Sequence, residues 1–305
     1  MLDALTMSDG HSIPAQGFGV FQIPAEQTAD AVAQAIEVGY RHIDTAQSYF
    51  NEEAVGAGIR RSGIDRSELF VTTKVWLDNY GEDATYASVK ASLEKLGLEY
   101  VDLMLLHQPF NDVYGSWRAL EQAQADGLIH SIGVANFTPA RLHDLGSFNA
   151  VYPVVNQIEI NPFHQQVERV AELQKLGVTV EAWAPFGEGR SGLFDNPVLA
   201  GIGQQYGKSV AQVVLRWLYQ RGIVALAKSV HTERMQQNFA IDDFALTEAD
   251  MAAIAGLDAG ASLFFDHETI GTVDFFTDLI AQRRNRLFAF WGVGGGVGMG
   301  SGPAR

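Results

Sequence analysis

The sequence predicts a closed (β/α)8 barrel, a TIM barrel, preceded by an N-terminal β-hairpin. Eight short apolar, β-rich runs alternate with amphipathic helical patterns at near-regular spacing, as successive β-then-α units require. The 305 residues are enough for one such barrel. The first glycine-rich turn, Gly17-Phe-Gly19-Val-Phe-Gln22, lacks the third glycine that an open, doubly wound dinucleotide-binding sheet carries after its first strand. That sheet is the second choice.

Taken in order, Leu5 to Met7 and Ser12-Ile13 flank the turn Ser8-Asp-Gly10 and form the hairpin, which Pro14 ends. Strands are predicted at Gly17–Val20, Arg41–Asp44, Leu69–Lys74, Val101–Leu106, Ser131–Val134, Val154–Glu159, Val178–Trp183 and Gly222–Ala227. Between them, Thr28–Val38 places Ala31, Val32, Ala35 and Ile36 on one face and stops at Gly39. Asn51–Ser62 opens with Asn and two glutamates, which suit the positive end of a helix dipole. Asp83–Leu96 ends at Gly97, Trp117–Ala125 ends before Gly127, and Thr138-Pro139 opens the next helix with a cap and a first-turn proline. Gln166–Leu176, Val210–Gln220, Glu233–Phe239 and Glu248–Leu257 complete the set, with an extra helix near Pro197–Tyr206 after the glycine-rich loop Gly187–Gly192. The barrel domain is expected over residues 1–276. Residues 277–305 are expected as a glycine-rich, poorly ordered tail, because Leu287 to Ala304 holds seven glycines and no charge.

With 47% hydrophobic and 19% charged residues the chain is globular, and its net charge of −15 excludes nucleic acid or an anionic membrane as a general partner. Cysteine is absent, which excludes disulfides, thiolate metal sites and a cysteine nucleophile. The first nine residues carry acids and no apolar core of signal-peptide length, so a cytoplasmic protein is expected.

In a barrel of this class the chemistry sits where the strands' C-terminal ends emerge. Read in order, those ends carry Asp44 with Tyr49, Lys74 with Trp76, His107, Asn136, Gln157 with Glu159, and Trp183. Strand alternation puts His42 and Asp44 on one face and Arg41 and Ile43 on the other. A lysine after Leu69-Phe-Val-Thr-Thr73 needs an anion, since an unpaired ammonium is costly in a low dielectric, and Asp44 on a neighbouring strand can supply it. The group suggests proton donation by a phenol. A nearby ammonium lowers a tyrosine's pKa towards the range of acid–base work, so Lys74 is expected to lower that of Tyr49. An ordinary structural ion pair is the other reading of the same residues.

At this point the chain resembles an aldo-keto reductase over about residues 5–275, in a bacterial branch like the diketogluconate and methylglyoxal reductases. The resemblance rests on Gly17-Phe-Gly19, Gly39-Tyr-Arg-His-Ile-Asp-Thr-Ala46, Tyr49 with Asn51-Glu52, Thr73-Lys-Val-Trp76, Asp102-Leu-Met-Leu-Leu-His107, Ile132-Gly-Val-Ala-Asn-Phe137, Asn156-Gln157, and Ala227-Lys-Ser-Val230 with Arg234 and Asn238. It implies a catalytic tetrad of Asp44, Tyr49, Lys74 and His107, with Tyr49 protonating a carbonyl oxygen as a nicotinamide delivers hydride to the carbon. It further implies NADPH as cofactor, bound along Gly19, Val20, Asn136, Gln157, Trp183, Phe186, Gly187 and Leu193. Lys228, Ser229, Val230 and Arg234 would meet the 2′-phosphate end, and Asn238 the adenine. Asn136 and Gln157 would hold the carboxamide, and Trp183 would stack on the ring. Phe21, Trp76 and Phe110 would line an open apolar pocket for a small carbonyl substrate. No resident metal and a monomeric state are expected.

The chain departs from the family pattern at Ala135, where serine is usual, and at Gln108, where tryptophan is common after the histidine. The segment from Pro109 to Tyr114 is short, which trims the loop that narrows the pocket in longer members. Three alternatives stay open. A metal-dependent barrel hydrolase would use His42, Asp44, His107, Glu159 and Glu181, although Lys74 would repel its cation. A non-catalytic nicotinamide-sensing subunit would keep the same pocket. A membrane-attached protein would use the tail.

Overall fold

A computed structural model describes residues 2–292, with side chains through residue 282. The expected glycine-rich tail from residue 293 onward lies outside the described residues.

The hairpin pairs β1 (Leu5–Thr6) with β2 (Ser12–Ile13) in antiparallel register. Eight parallel strands then close a barrel: β3 (Gln16–Gly19), β4 (His42–Asp44), β5 (Phe70–Val75), β6 (Val101–Leu106), β7 (Ile129–Ala135), β8 (Val155–Glu159), β9 (Thr179–Trp183) and β10 (Val224–Ala227). β10 pairs with β3 and so closes the ring, which rules out the open sheet. Gly17 permits this closure, because a Cβ there would lie 2.4 Å from Leu226 Cδ2 and 2.8 Å from His42 Nδ1.

Helices α1 (Ala25–Val38), α2 (Glu52–Ser62), α3 (Glu82–Leu96), α4 (Val113–Ala125), α5 (Pro139–Ser147), α6 (Val167–Lys175), α7 (Pro197–Tyr206), α8 (Val210–Gln220), α9 (Thr232–Phe239) and α10 (Glu248–Ala255) follow the strands. Two begin three or four residues earlier than the sequence suggests. Thr28 lies inside α1 rather than at its start, and its hydroxyl bonds back to the Pro24 carbonyl at 2.9 Å. In α4 the Asp112 carboxylate accepts from Gly115 N, so the helix starts at Val113 rather than Trp117.

The hairpin side of the barrel is closed by an apolar cluster in which Met7 and Ile13 pack with Phe70, Leu103, Leu105, Val154, Val155 and Val224. The opposite end, where the strands finish, is therefore the end left for ligands. The barrel and its connections form one compact unit that ends at Phe264. From Phe265 a second unit contains α11 (Ile270–Gly292), and the boundary expected at residue 276 falls inside this helix. In that unit the rings of Phe265, Phe275 and Phe276 pack together. No described helix is long and apolar enough to cross a membrane.

Candidate active site

Strand alternation turns Asp44 on β4 and Lys74 on β5 into the barrel, both buried. The Lys74 ammonium donates to Asp44 Oδ1 at 2.6 Å, to the Thr45 carbonyl at 2.9 Å and to Tyr49 Oη at 3.3 Å. Its three protons thus have three oxygen partners, which is what a fully buried ammonium needs.

Tyr49 reaches this point from a short helical turn, Gln47–Tyr49, that follows β4. Asn51 ties the turn down: its amide donates to the Val20 carbonyl at 3.1 Å and accepts from Thr45 Oγ1 at 2.9 Å. Glu52, also buried, accepts from Thr73 Oγ1 at 2.7 Å, next to Lys74 on β5. Gln47 completes the anchorage, accepting from Trp76 N at 2.9 Å while its amide donates to Ser88 Oγ and Ser92 Oγ. Tyr-x-Asn-Glu is therefore a positioning motif as well as a source of the phenol.

His107 follows β6, and its ring stands edge-on to Tyr49 at 5.8 Å and to Trp76 at 5.1 Å between centroids. Its Nδ1 lies 3.4 Å from Ser48 Oγ. Phe21, about half exposed, packs on Tyr49 with centroids 4.9 Å apart. Trp76 is buried and Phe110 half-buried in the loop after β6. The four residues Asp44, Tyr49, Lys74 and His107 come together as expected.

The direction of the Tyr49 pKa differs from the sequence expectation. Burial raises it and outweighs the Lys74 ammonium, which does lower it, so the net shift is upward. Lys74 behaves oppositely: burial pulls its pKa down, but Asp44 and Tyr49 prevail and hold the ammonium above its ordinary value. The result is a protonated phenol against a charged ammonium, an acid ready to give up a proton that has a cation waiting for the phenolate.

Next to these groups, Asn136 at the end of β7 adopts a left-handed backbone, φ 66°. Its amide donates to the His107 carbonyl at 3.0 Å and accepts from the Trp183 indole N–H at 2.9 Å, which fixes the plane of the half-buried Trp183 ring. Gln108 contributes a second contact to the Asn136 amide at 3.4 Å. Gln157 on β8 donates to Asp44 Oδ2 at 3.0 Å and to Glu181 Oε2 at 3.1 Å.

Sequence reasoning placed Glu181 only in a metal-ligand set, and that set does not gather. Glu159 is committed to Asn161, Ser262 and Leu263, Asp44 to Lys74, and no group of three or more acids and histidines among the described residues is placed to hold a metal ion. Buried Glu181 has its pKa pushed up to about 8 by desolvation and by Asp44. His42, 3.7 Å away, is pushed down to about 3 by burial and by Lys74.

Between pH 4.5, the ordinary glutamate value, and about 8 the folded state therefore keeps a proton on Glu181 that the unfolded chain releases. Stability from this group is complete below 4.5 and is lost as pH rises through 8, at no more than ~1.4 kcal/mol per pH unit. Urea unfolding of the parent and Glu181→Leu across this range should show the parent losing ground to the variant as pH rises. Parallel curves would refute the assignment.

Several residues fit an elongated anionic cofactor. Nothing lies within 4 Å of a Cβ built on Gly19 at the end of β3, so the strand end faces open space. Val20 is buried behind it, donating to the Asp44 carbonyl. Phe186, Gly187 and buried Leu193 belong to the loop Gly187–Asp195 and its entry, where Glu188, Gly189, Ser191 and Gly192 take left-handed conformations. After β10, Lys228 and Arg234 are exposed and have no ion-pair partner among the described residues, in a chain of charge −15. Ser229 is buried between them, Val230 is partly exposed, and Asn238 is buried on α9. Two such cations beside a hydroxyl suit a phosphate dianion.

A model of the aldo/keto reductase family matches residues 15–259. The chain is 43% identical to a morphine 6-dehydrogenase of Pseudomonas putida over 89% of this chain and 96% of that protein. It is 43% identical to a glyoxal reductase of Bacillus subtilis over 84% of this chain and 92% of the relative. A crystal structure of a Bombyx mori aldo-keto reductase in complex with NADP superposes with a TM-score of 0.83 at 36% identity, covering 87% of this chain and 95% of that one.

Proposed function

This chain belongs to the aldo/keto reductase family, and from that premise we propose that it is an NADPH-dependent reductase of aldehydes, ketones and α-dicarbonyls. The observation that carries the proposal is the Tyr49 phenol held 3.3 Å from a buried, Asp44-paired ammonium at the open end of the barrel. Bound NADPH supplies hydride to the carbonyl carbon.

The chain's own residues manage the proton and the orientation. Tyr49 Oη donates its proton to the carbonyl oxygen, and Lys74 stabilises the phenolate that remains. Asp44 keeps Lys74 charged and in place. His107, edge-on to Tyr49, hydrogen-bonds the reacting oxygen and sets its direction. Asn136 and Gln157 hold the nicotinamide carboxamide, and Trp183, fixed by Asn136, covers one ring face. Ala135 removes one hydroxyl from this cradle, and Gln108 reaches the Asn136 amide from the other side.

Phe21, Trp76 and Phe110 wall the substrate side. A mostly apolar wall separates substrates by only ~1–3 kcal/mol per methylene, so a range of small carbonyls is accepted. The names of the two relatives, one a dicarbonyl reductase and one a dehydrogenase of a polycyclic alcohol, accord with such a pocket. An acidic, cysteine-free chain suits work in the cytoplasm without nucleic acid or an anionic membrane as partner, and the resemblance to the family is what suggests a monomer.

Lys228, Ser229 and Arg234 set the choice of NADPH over NADH. Arg234→Ala should raise the Kd for NADPH about tenfold or more, the loss of one charge-assisted hydrogen bond, and leave that for NADH within about twofold. Fluorescence titration with both cofactors checks this. Equal weakening of both would remove the 2′-phosphate from this site.

A further inference from the structure

Glu181 plays no part in the chemistry above, yet it is fully buried at the centre of the barrel and shares the Gln157 amide with Asp44. The amide nitrogen carries two hydrogens. One goes to Asp44 Oδ2 at 3.0 Å on β4, the other to Glu181 Oε2 at 3.1 Å on β9. A flipped amide would set its carbonyl oxygen against both acids, with only acceptor facing acceptor at Asp44. Asp44 therefore fixes the sense of the amide, and Glu181 holds its second hydrogen, so that the nitrogen stays inward and the carbonyl oxygen Oε1 is turned away from both.

We propose that Glu181 is a positioning residue that locks Gln157 as a hydrogen-bond acceptor, so that the site reads the amine, rather than the oxygen, of the nicotinamide carboxamide. This rests on the reading above that Gln157 meets the carboxamide. Asp44 alone does not suffice for the lock, because its other oxygen is engaged by Lys74 and a single partner leaves the second amide hydrogen unheld. The two partners divide the work: Asp44, an acceptor only, decides which way the amide faces, and Glu181 Oε2 holds the second hydrogen at 3.1 Å without adding a second negative charge beside Asp44.

The test compares binding of NADPH with that of its reduced acetylpyridine analogue, in which a methyl group replaces the carboxamide amine. Protein fluorescence quenching gives Kd for each in the parent, Glu181→Leu and Glu181→Gln. The parent should favour NADPH. Glu181→Leu should bring the ratio of the two Kd values about five- to tenfold closer to unity, the effect of one hydrogen bond. Glu181→Gln, which keeps an acceptor at the same place, should retain most of the parent ratio.

A parent that discriminates and a Glu181→Leu variant with the same ratio would overturn the inference and leave the Gln157 reading intact. Equal weakening of both cofactors would do the same, since it marks a merely structural role. A parent that binds both equally overturns the inference together with the reading beneath it. If Glu181→Leu does not fold, the longer and more compliant Glu181→Met carries the same expectation.

Discussion

Replacing Tyr49 by phenylalanine is expected to lower kcat for carbonyl reduction by about two to four orders of magnitude, the usual worth of a positioned general acid. The Kd for NADPH should stay within about threefold of the parent. The reason lies in what the hydroxyl touches. Oη is one of three oxygens on the Lys74 ammonium, and its removal leaves the bonds to Asp44 and the Thr45 carbonyl in place. The ring keeps its contacts with Phe21 and His107. A deficit confined to kcat identifies the lost group as a proton donor in the transition state. Steady-state kinetics with an aromatic aldehyde and with methylglyoxal measures it, and a loss of less than tenfold would assign the proton to another group.

Lys74→Met should cost both activity and stability. Asp44 is buried, and without its ammonium its carboxylate keeps, among the described residues, only the Gln157 amide as a donor. Breaking a buried pair on one side costs ~3–5 kcal/mol, because the remaining charge is desolvated and uncompensated. Activity should fall at least as far as in Tyr49→Phe, since the phenolate loses the cation that stabilises it. Adding Asp44→Asn to Lys74→Met removes the stranded charge and should recover a large part of the stability and none of the activity. Denaturant midpoints and kcat for the two single variants and the double variant separate these effects. A double variant as unstable as Lys74→Met would show that the charge pairing is not what stabilises this part of the barrel.

The elements most legible in the sequence were those whose signal is local. All eight strands lie where β-rich apolar runs placed them, with no end moved by more than two residues. β7 begins at Ile129 rather than Ser131, and Ile129 is in register with Val101, a long-range pairing that no local signal announces. The starts of α1 and α4 were less legible: Thr28 bonds back into its own helix instead of opening it, and the Asp112 carboxylate reaches Gly115 N to open α4 at Val113. Asp44, Lys74 and His107 could be found because each is a polar residue that ends an apolar run, and Tyr49 because it follows one closely.

What stayed hidden needs three strands at once. Gln157, Asp44 and Glu181 lie on β8, β4 and β9, and only the closed register brings them within hydrogen-bond distance. The same holds for the direction of the Tyr49 pKa. A neighbouring lysine can be read from sequence, but how much water the fold removes from the phenol cannot, and here burial exceeds the ammonium's pull.

The measurement that bears most directly on the proposed reductase chemistry is the loss of reduced-nicotinamide absorbance when the purified protein meets NADPH and a panel of small aldehydes and α-dicarbonyls. Steady turnover with NADPH, slower with NADH and abolished in Tyr49→Phe, is the predicted result. Tight NADPH binding with no turnover of any carbonyl would contradict it, and would make the barrel a nicotinamide-binding subunit whose tetrad is not used for catalysis.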